Sequence, residues 1–284
     1  MIPAFVNPAA GNAEEVDVAL RKAGCFDVRP IPPDEVTQAV RSAVDAGAER
    51  VAAVGGDGTV SAAAAALRGS ETALVVIPAG TFNHFARDHG IPTDLQGACA
   101  IAQSRHTARV DVGIVNGRVF LNTSSVGVYA NFVRVRERLE PRVGYWPASL
   151  LALVRTFARV QPFQVALETN AAQRSYETPL VFIGIGEREL KLPKLGGRVQ
   201  GGQSGLHVMV VRGRTRARLV ALSFEAATRG VGALSRTPHL DTFLLSSCSI
   251  DQRHSTVAVD GEVVTMASPL VYEVAARALK VVLP

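Results

Sequence analysis

The sequence predicts a two-part α/β protein. An N-terminal parallel sheet flanked by helices is followed by a β-rich, antiparallel, sandwich-like domain. Three observations carry this. Short apolar runs alternate with helix-period segments as far as about Ser104, the pattern of a parallel sheet with helices on both faces. Beyond that point hairpin signals take over, with Asn116-Gly117 and Asp260-Gly261 set between apolar runs. Third, the loops Asn7 to Asn12, Gly55 to Thr59 and Gly80 to Asn83 all follow strands and carry small and polar residues. In a parallel sheet such loops emerge at one edge, where open α/β sheets bind ligands.

The elements follow in order. Ile2 to Val6 is a strand, and Ala13 to Ala23 a helix with Glu14, Glu15 and Asp17 early and Arg21 and Lys22 late, as the helix dipole prefers. Gly24 stops it. Phe26 to Ile31 is the second strand, Asp34 to Ala46 the second helix. Val51 to Val54 is an apolar run short enough for a central strand. Ala73 to Ile77 is the fourth strand, and a short helix spans Phe82 to about His89. After a helix near Asp94 to Ser104, the runs Val110 to Val115 and Arg118 to Thr123 form a hairpin. Strands are expected over 163–169, 180–185, 206–211, 242–249, 256–259 and 263–266, with helices over 146–160 and 216–228. These readings divide the chain into residues 1–112 and 113–271. The run Tyr272 to Leu283 is a candidate to return to the first domain.

The stretch Arg50 to Leu67, RVAAVGGDGTVSAAAAAL, is a strand, a tight loop and a helix. Gly55, Gly56 and Gly58 permit positive φ and let a ligand approach bare backbone. Thr59 is placed to cap the helix, whose first turn points N–H groups and a positive dipole outward. That is a ready phosphate site. Asp57 would repel a phosphate unless it faces a bound Mg²⁺ or its water shell. The bland alternative is a plain Asp-Gly turn.

Hydrophobic residues make up 48% of the 284, enough for a substantial core, and the net charge of +5 favours anionic partners. Cys25, Cys99 and Cys248 lack metal-site spacing and read as buried thiols in a reducing compartment. The start MIPAFVNPAAG has no basic stretch and no long apolar run, so no secretion signal is expected. No apolar run reaches the roughly 20 residues of a membrane span. The expectation is a cytoplasmic protein, peripheral at most on the inner membrane face.

The order NPAAG, GGDGT, PAGTFNHFAR, VDVG and a late VDGE resembles the diacylglycerol kinase catalytic family, in particular its soluble bacterial lipid kinases. GGDGT alone is shared with NAD kinases; its combination with P-x-G-T-x-N and a distant D-G-E is more specific. The resemblance implies a nucleotide-binding first domain, a β-rich lipid-substrate domain, ATP and Mg²⁺, and phosphoryl transfer to a lipid hydroxyl. By position, Asn7 and Gly11 would line the nucleotide. Gly55, Gly56, Asp57, Gly58 and Thr59 would surround the phosphates, Asp57 meeting the ATP-bound Mg²⁺ indirectly. Thr81 and Asn83 would bind nucleotide from the next loop, and Asp260 or Glu262 would supply the general base. A lipid hydroxyl is a poor nucleophile, and a carboxylate must take its proton during in-line transfer.

Three positions depart from the family pattern. Asn12 stands where Lys or Arg is usual, His84 replaces an Asp, and Ser204 occupies the place of a carboxylate that binds a structural Mg²⁺ in many relatives. That structural metal is therefore not expected. These departures keep open a nucleotide- or lipid-binding regulator without kinase activity, and GGDGT keeps open an NAD kinase-like enzyme. Arg134, Arg136, Arg138 and Arg142 precede Tyr145 and Trp146, and Arg212, Arg214, Arg216 and Arg218 form a second cluster. Arginine beside interfacial aromatics suits an anionic membrane surface. No nucleic-acid module accompanies the charge, so nucleic acid is not expected. A homodimer is left open.

Overall fold

The computed structural model describes residues 1–8, 13–158, 162–169, 173–189, 197–199, 201–212, 240–252 and 256–284. It divides into two compact units: Met1–Val112 with Arg118–Asn122 and Ala275–Pro284, and Gly113–Gly117 with Thr123–Val274.

The first unit begins with β1 (Ile2–Val6), α1 (Ala13–Ala23), β2 (Phe26–Pro30), α2 (Val36–Asp45), β3 (Arg50–Gly55), α3 (Asp57–Leu67) and β4 (Ala73–Pro78). The strands are parallel, in the order β2-β1-β3-β4. Two shorter helices follow, α4 (His84–Asp88) and α5 (Leu95–Ile101), the latter capped by Asp94, whose side chain accepts from the Gly97 N–H. Strand pleat sorts the core. Ala4, Val6, Ala52, Val54, Val75 and Ile77 face Val16 and Leu20 of α1 and Ala98 of α5. The alternate residues Phe5, Val51, Ala53, Leu74 and Val76 are equally buried, and α2 and α3 pack together with Val36, Val40, Val60 and Leu67 inside. The central strands β3 and β4 are buried on both faces, which explains their unbroken apolar runs, whereas the edge strand β2 is part exposed and carries the Asp27–Arg29 ion pair.

β5 (Thr107–Val115) and β6 (Arg118–Phe120) are joined by Asn116-Gly117, at φ 45° and 83°, the mirror-image turn expected of that dipeptide. The second arm is shorter than the sequence suggested. It stops at Phe120, and β7 (Thr123–Gly127) starts separately.

The second unit is antiparallel. After β7 come two helices, α6 (Val128–Val143) and α7 (Tyr145–Ala158), then β8 (Phe163–Glu168), β9 (Gln173–Thr178), β10 (Leu180–Ile185), β11 (Leu206–Val211), β12 (Leu240–Leu245), β13 (Ser247–Gln252), β14 (Thr256–Val259), β15 (Glu262–Thr265) and β16 (Leu270–Val282). One sheet runs β12-β11-β10-β7-β14-β15. In the other, β13 pairs with β8 and with the first residues of β16, and β8 pairs with β9. Ser124 Oγ and Tyr272 Oη, 3.0 Å apart, tie the two sheets together in the buried interior. The single strand expected over 242–249 is two strands. It breaks at Ser246, with β12 joining one sheet and β13 the other. α6 was not foreseen. The helix expected over 216–228 lies outside the described residues. Among the described residues no helix is long and apolar enough to cross a membrane.

The end of β16 belongs to the first unit, where Val281 pairs in parallel with Leu74 of β4. Arg277 sits in β16 at φ 52°, and its N–H donates to Asp111 Oδ1 at 2.8 Å. A buried carboxylate thus holds a left-handed residue inside a strand. Such a conformation costs roughly 1–3 kcal/mol and persists only where its surroundings enforce it.

Cys248 and Tyr272 lie side by side in register and are buried. Burial pushes the Cys248 thiol from about 9 up to about 12 and raises the Tyr272 hydroxyl as well. The folded protein keeps both protonated where the unfolded chain ionises, so the stability present below pH 9 is lost as pH rises through the folded values. Urea midpoints should therefore fall between pH 9 and 12, and Cys248→Ala should flatten part of that fall.

Candidate functional site

In the order β2-β1-β3-β4 the chain leaves β1 first to one side and then to the other, so β1 and β3 flank a topological switch point. Ligands of open α/β sheets sit in the crevice outside the strand ends at such a point. Asn7 leaves β1 there, its N–H donating to Val54 O at 3.2 Å, and Gly55, Gly56 and α3 leave β3.

The loop is shorter than the sequence reading had it. Asp57, Gly58 and Thr59 already form the first turn of α3, with Gly56 as N-cap at φ −83° and ψ −175°. None of Gly55, Gly56 and Gly58 has positive φ, so conformational freedom is not why they are glycines. Close approach accounts for Gly55, and for Gly80 in the next loop. A Cβ on Gly55 would lie 2.5 Å from Thr59 Oγ1, and a Cβ on Gly80 would lie 2.4 Å from Gly56 Cα. Thr59 does not cap the helix. It is buried against Gly55, and the cap has no side-chain hydrogen bond. The first bond back to the cap runs from Val60 N to Gly56 O, so the amides of Asp57, Gly58 and Thr59 precede the intrahelical ladder. That is the donor set of an anion site.

Asp57 is held from the next loop. Its Oδ2 accepts the His84 N–H at 3.1 Å and its Oδ1 the Phe85 N–H at 3.2 Å, so the carboxylate caps the start of α4. Asn83, at φ 51° and buried, closes the Gly80–Asn83 loop: Oδ1 accepts from Gly80 N at 3.1 Å and Nδ2 donates to Gly80 O at 2.8 Å. Thr81 is exposed. His84 is also exposed, and its ring stacks on Phe82 at 5.5 Å. A groove of about 1130 Å³ adjoins this loop, lined by Gly80 and Asn83, by Glu15 and Lys22 of α1, and by Gln96 of α5 and Gln103. Gly11 and Asn12 lie outside the described residues. The first-turn amides of α3 fit phosphate oxygens. Asp57 offers a cation only the acceptor capacity left after two amide bonds.

In the second unit, Asp260 and Gly261 form the β14–β15 turn at φ 47° and 88°. Asp260 N–H donates to Thr123 O at 2.8 Å, and Thr123 N–H donates to Asp260 Oδ1 at 3.1 Å. The turn is thus locked onto β7 through both its backbone and its carboxylate. Glu262 opens β15 and is exposed. Beside Ser204, the Gln203 N–H approaches Glu187 Oε2 at 3.4 Å, and among the described residues no three His, Cys, Asp or Glu side chains cluster as metal ligands would. Two residues of this unit escaped the sequence reading. His207 is buried in β11, its Nδ1 accepts the Arg188 N–H at 2.9 Å, and burial lowers its pKa. The Arg188 side chain lies over Gly184, which pairs with both His207 and Thr123. Only the alternation of β11 could have marked His207 as inward-facing. Of the second arginine cluster, Arg212 pairs with Asp241 and covers the Tyr176 ring; Arg214, Arg216 and Arg218 lie outside the described residues.

Comparison with known proteins bears on both halves. Residues 2–115 match the model of the diacylglycerol kinase catalytic domain family. A Pseudomonas aeruginosa protein named "Probable lipid kinase YegS-like" is 38% identical over 186 residues, covering 62% of this chain and 60% of that protein. A Staphylococcus saprophyticus protein named "Diacylglycerol kinase" is 32% identical over 133 residues, 43% of each chain. The matched stretches span 60% of the first relative's length and 43% of the second's. A crystal structure of a diacylglycerol kinase from Bacillus anthracis superposes over all of this chain and 96% of the other, with TM-score 0.73 at 21% identity, and so shows a shared fold.

Two substitutions test the geometry without any ligand. Gly80→Ala should destabilise the fold by about 1–3 kcal/mol through overpacking against Gly56. Asp57→Ala should cost about 1 kcal/mol by uncapping α4. Denaturant titration of each variant measures both.

Proposed function

We propose that this chain, whose residues 2–115 carry the diacylglycerol kinase catalytic domain, is an ATP-dependent lipid kinase acting on the hydroxyl of diacylglycerol or a related lipid. The observation that carries the reading is the β3–α3 junction at the switch point. Its first-turn amides are the donor set of an anion site, and Gly55 packed on Thr59 with Gly80 pressed onto Gly56 holds that turn in place. The amides of Asp57, Gly58 and Thr59 would hold phosphate oxygens, with Gly55 and Gly56 leading into them from β3. Asn7, Gly11, Thr81 and Asn83 would line the nucleotide. Mg²⁺ carried by ATP would neutralise phosphate charge, and Asp57 would meet it through its remaining lone pairs or a water. Asp260 or Glu262 would take the proton of the acceptor hydroxyl as the new P–O bond forms.

One observation favours a second reading, a nucleotide- or lipid-binding regulator. Both oxygens of Asp57 already accept amides of α4, which weakens its claim as a metal partner.

Labelled ATP and Mg²⁺ offered with diacylglycerol, a total lipid extract or NAD separate the readings. A labelled phospholipid is expected. Tight ATP binding without any labelled lipid would establish the regulator instead, and labelled NADP an NAD kinase-like enzyme. Asp260→Asn is the informative variant. Asparagine tolerates the left-handed turn and can still accept the Thr123 N–H, but cannot take a proton. If Asp260 is the base, turnover should drop about 100-fold or more with the melting temperature nearly unchanged. A fall confined to Glu262→Gln would move the role to Glu262.

A further inference from the structure

We infer that the junction of α6 and α7 is a docking surface for an anionic lipid bilayer. This goes beyond the proposed phosphoryl transfer, since it concerns where the protein works rather than what it does. The two helices pack on each other and are joined only through Gly144. Together they carry five arginines and two glutamates, with no lysine or aspartate. The glutamates are spoken for: Arg136 lies 3.9 Å from Glu137 and 3.6 Å from Glu140, and its guanidinium sits over the Tyr145 ring. Arg138 and Arg142, one turn apart on α6, are exposed, as is Arg155 on α7. Among the described residues none of these three has an acidic partner within ion-pair distance.

Apolar side chains stand exposed among those cations. Val143 is 43% and Leu151 45% accessible, and Pro141 and Pro147 are exposed beside them. On α7, Pro147, Leu151 and Arg155 recur every fourth residue, so they form one line along the helix surface. An apolar line that ends in an arginine is how an interfacial helix lies in a membrane. The hydrocarbon enters the headgroup boundary while the guanidinium reaches to phosphate. The sequence also places Tyr145 and Trp146 at the start of α7, and these residue types favour that boundary. Charge complementarity selects the partner: a surface that is basic and apolar at once fits an anionic bilayer better than a folded acidic protein or a nucleic acid.

The test is co-sedimentation with vesicles of phosphatidylcholine alone or with phosphatidylglycerol added. The wild-type chain should bind the mixed vesicles at low salt, bind pure phosphatidylcholine weakly, and be released by added salt. Arg138→Glu with Arg142→Glu should weaken binding by about 30-fold or more. Leu151→Asp should weaken it while leaving the salt dependence in place, and Arg138→Lys with Arg142→Lys should retain it. Circular dichroism melts of each variant check folding. Equal sedimentation of wild type and the charge-reversed pair, or no binding of wild type at low salt, overturns the inference. Phosphorylation of short-chain diacylglycerol in detergent micelles is read in parallel. Loss of vesicle binding with micelle activity intact isolates docking, whereas binding without activity on any lipid defeats the kinase reading and leaves docking standing.

Discussion

The approach of the Gly80 backbone to that of Gly56 is the constraint on which the candidate phosphate site depends. Gly80 has no room for a side chain, since its Cβ would lie 2.4 Å from Gly56 Cα, so the loop after β4 is pressed onto the start of α3. Asp57 then turns the contact into a lock by accepting two amides of α4, and Asn83 folds its own loop by bonding both polar groups of Gly80. Three short-range devices in different segments therefore fix one surface. The amides of Asp57, Gly58 and Thr59 are held in place before any ligand arrives, which is what makes a backbone anion site selective rather than merely electropositive.

Asp57 shows how one residue can answer two demands. A carboxylate at the mouth of an anion site is unfavourable by itself. Here its charge is spent on the positive end of another helix, α4, whose first amides it caps. The two amide bonds give an acidic side chain at that position a structural role of its own.

Much of this was readable from the sequence, because it rests on local rules. The apolar runs of β1, β3 and β4 announced strands buried on both faces, and Asn116-Gly117 and Asp260-Gly261 announced mirror-image turns. What could not be read depends on partners distant in sequence. Thr59 looks like a helix cap until its burial against Gly55 is seen. Asp111 looks like any strand residue until it is found holding Arg277 in a left-handed conformation. The break at Ser246 is invisible because the residues on either side are equally strand-forming, and only the sheets they join differ. α6 was masked by its composition. Five polar or charged residues over Arg134–Glu140 with Pro141 beyond them suggested a basic surface segment, and its few buried positions, Ala130 and Val133, give a faint helical signal.

The same loops carry an electrostatic consequence. No lysine or arginine occurs in Asn7–Asn12, Gly55–Thr59 or Gly80–Asn83, so these loops offer an anion backbone dipoles rather than cationic side chains. A helix terminus is equivalent to roughly half an elementary charge. A triphosphate carries several negative charges, far more than that half charge can balance, and Asp57 adds another of the same sign. Three amides can orient such a group but cannot neutralise it. A polyphosphate held by these loops alone would need to bring its counter-charge with it, and a divalent cation would do so at the smallest volume. In a site with basic side chains, raised salt would weaken binding by screening; in one built from short-range amide bonds, removal of the divalent ion should matter far more than ionic strength.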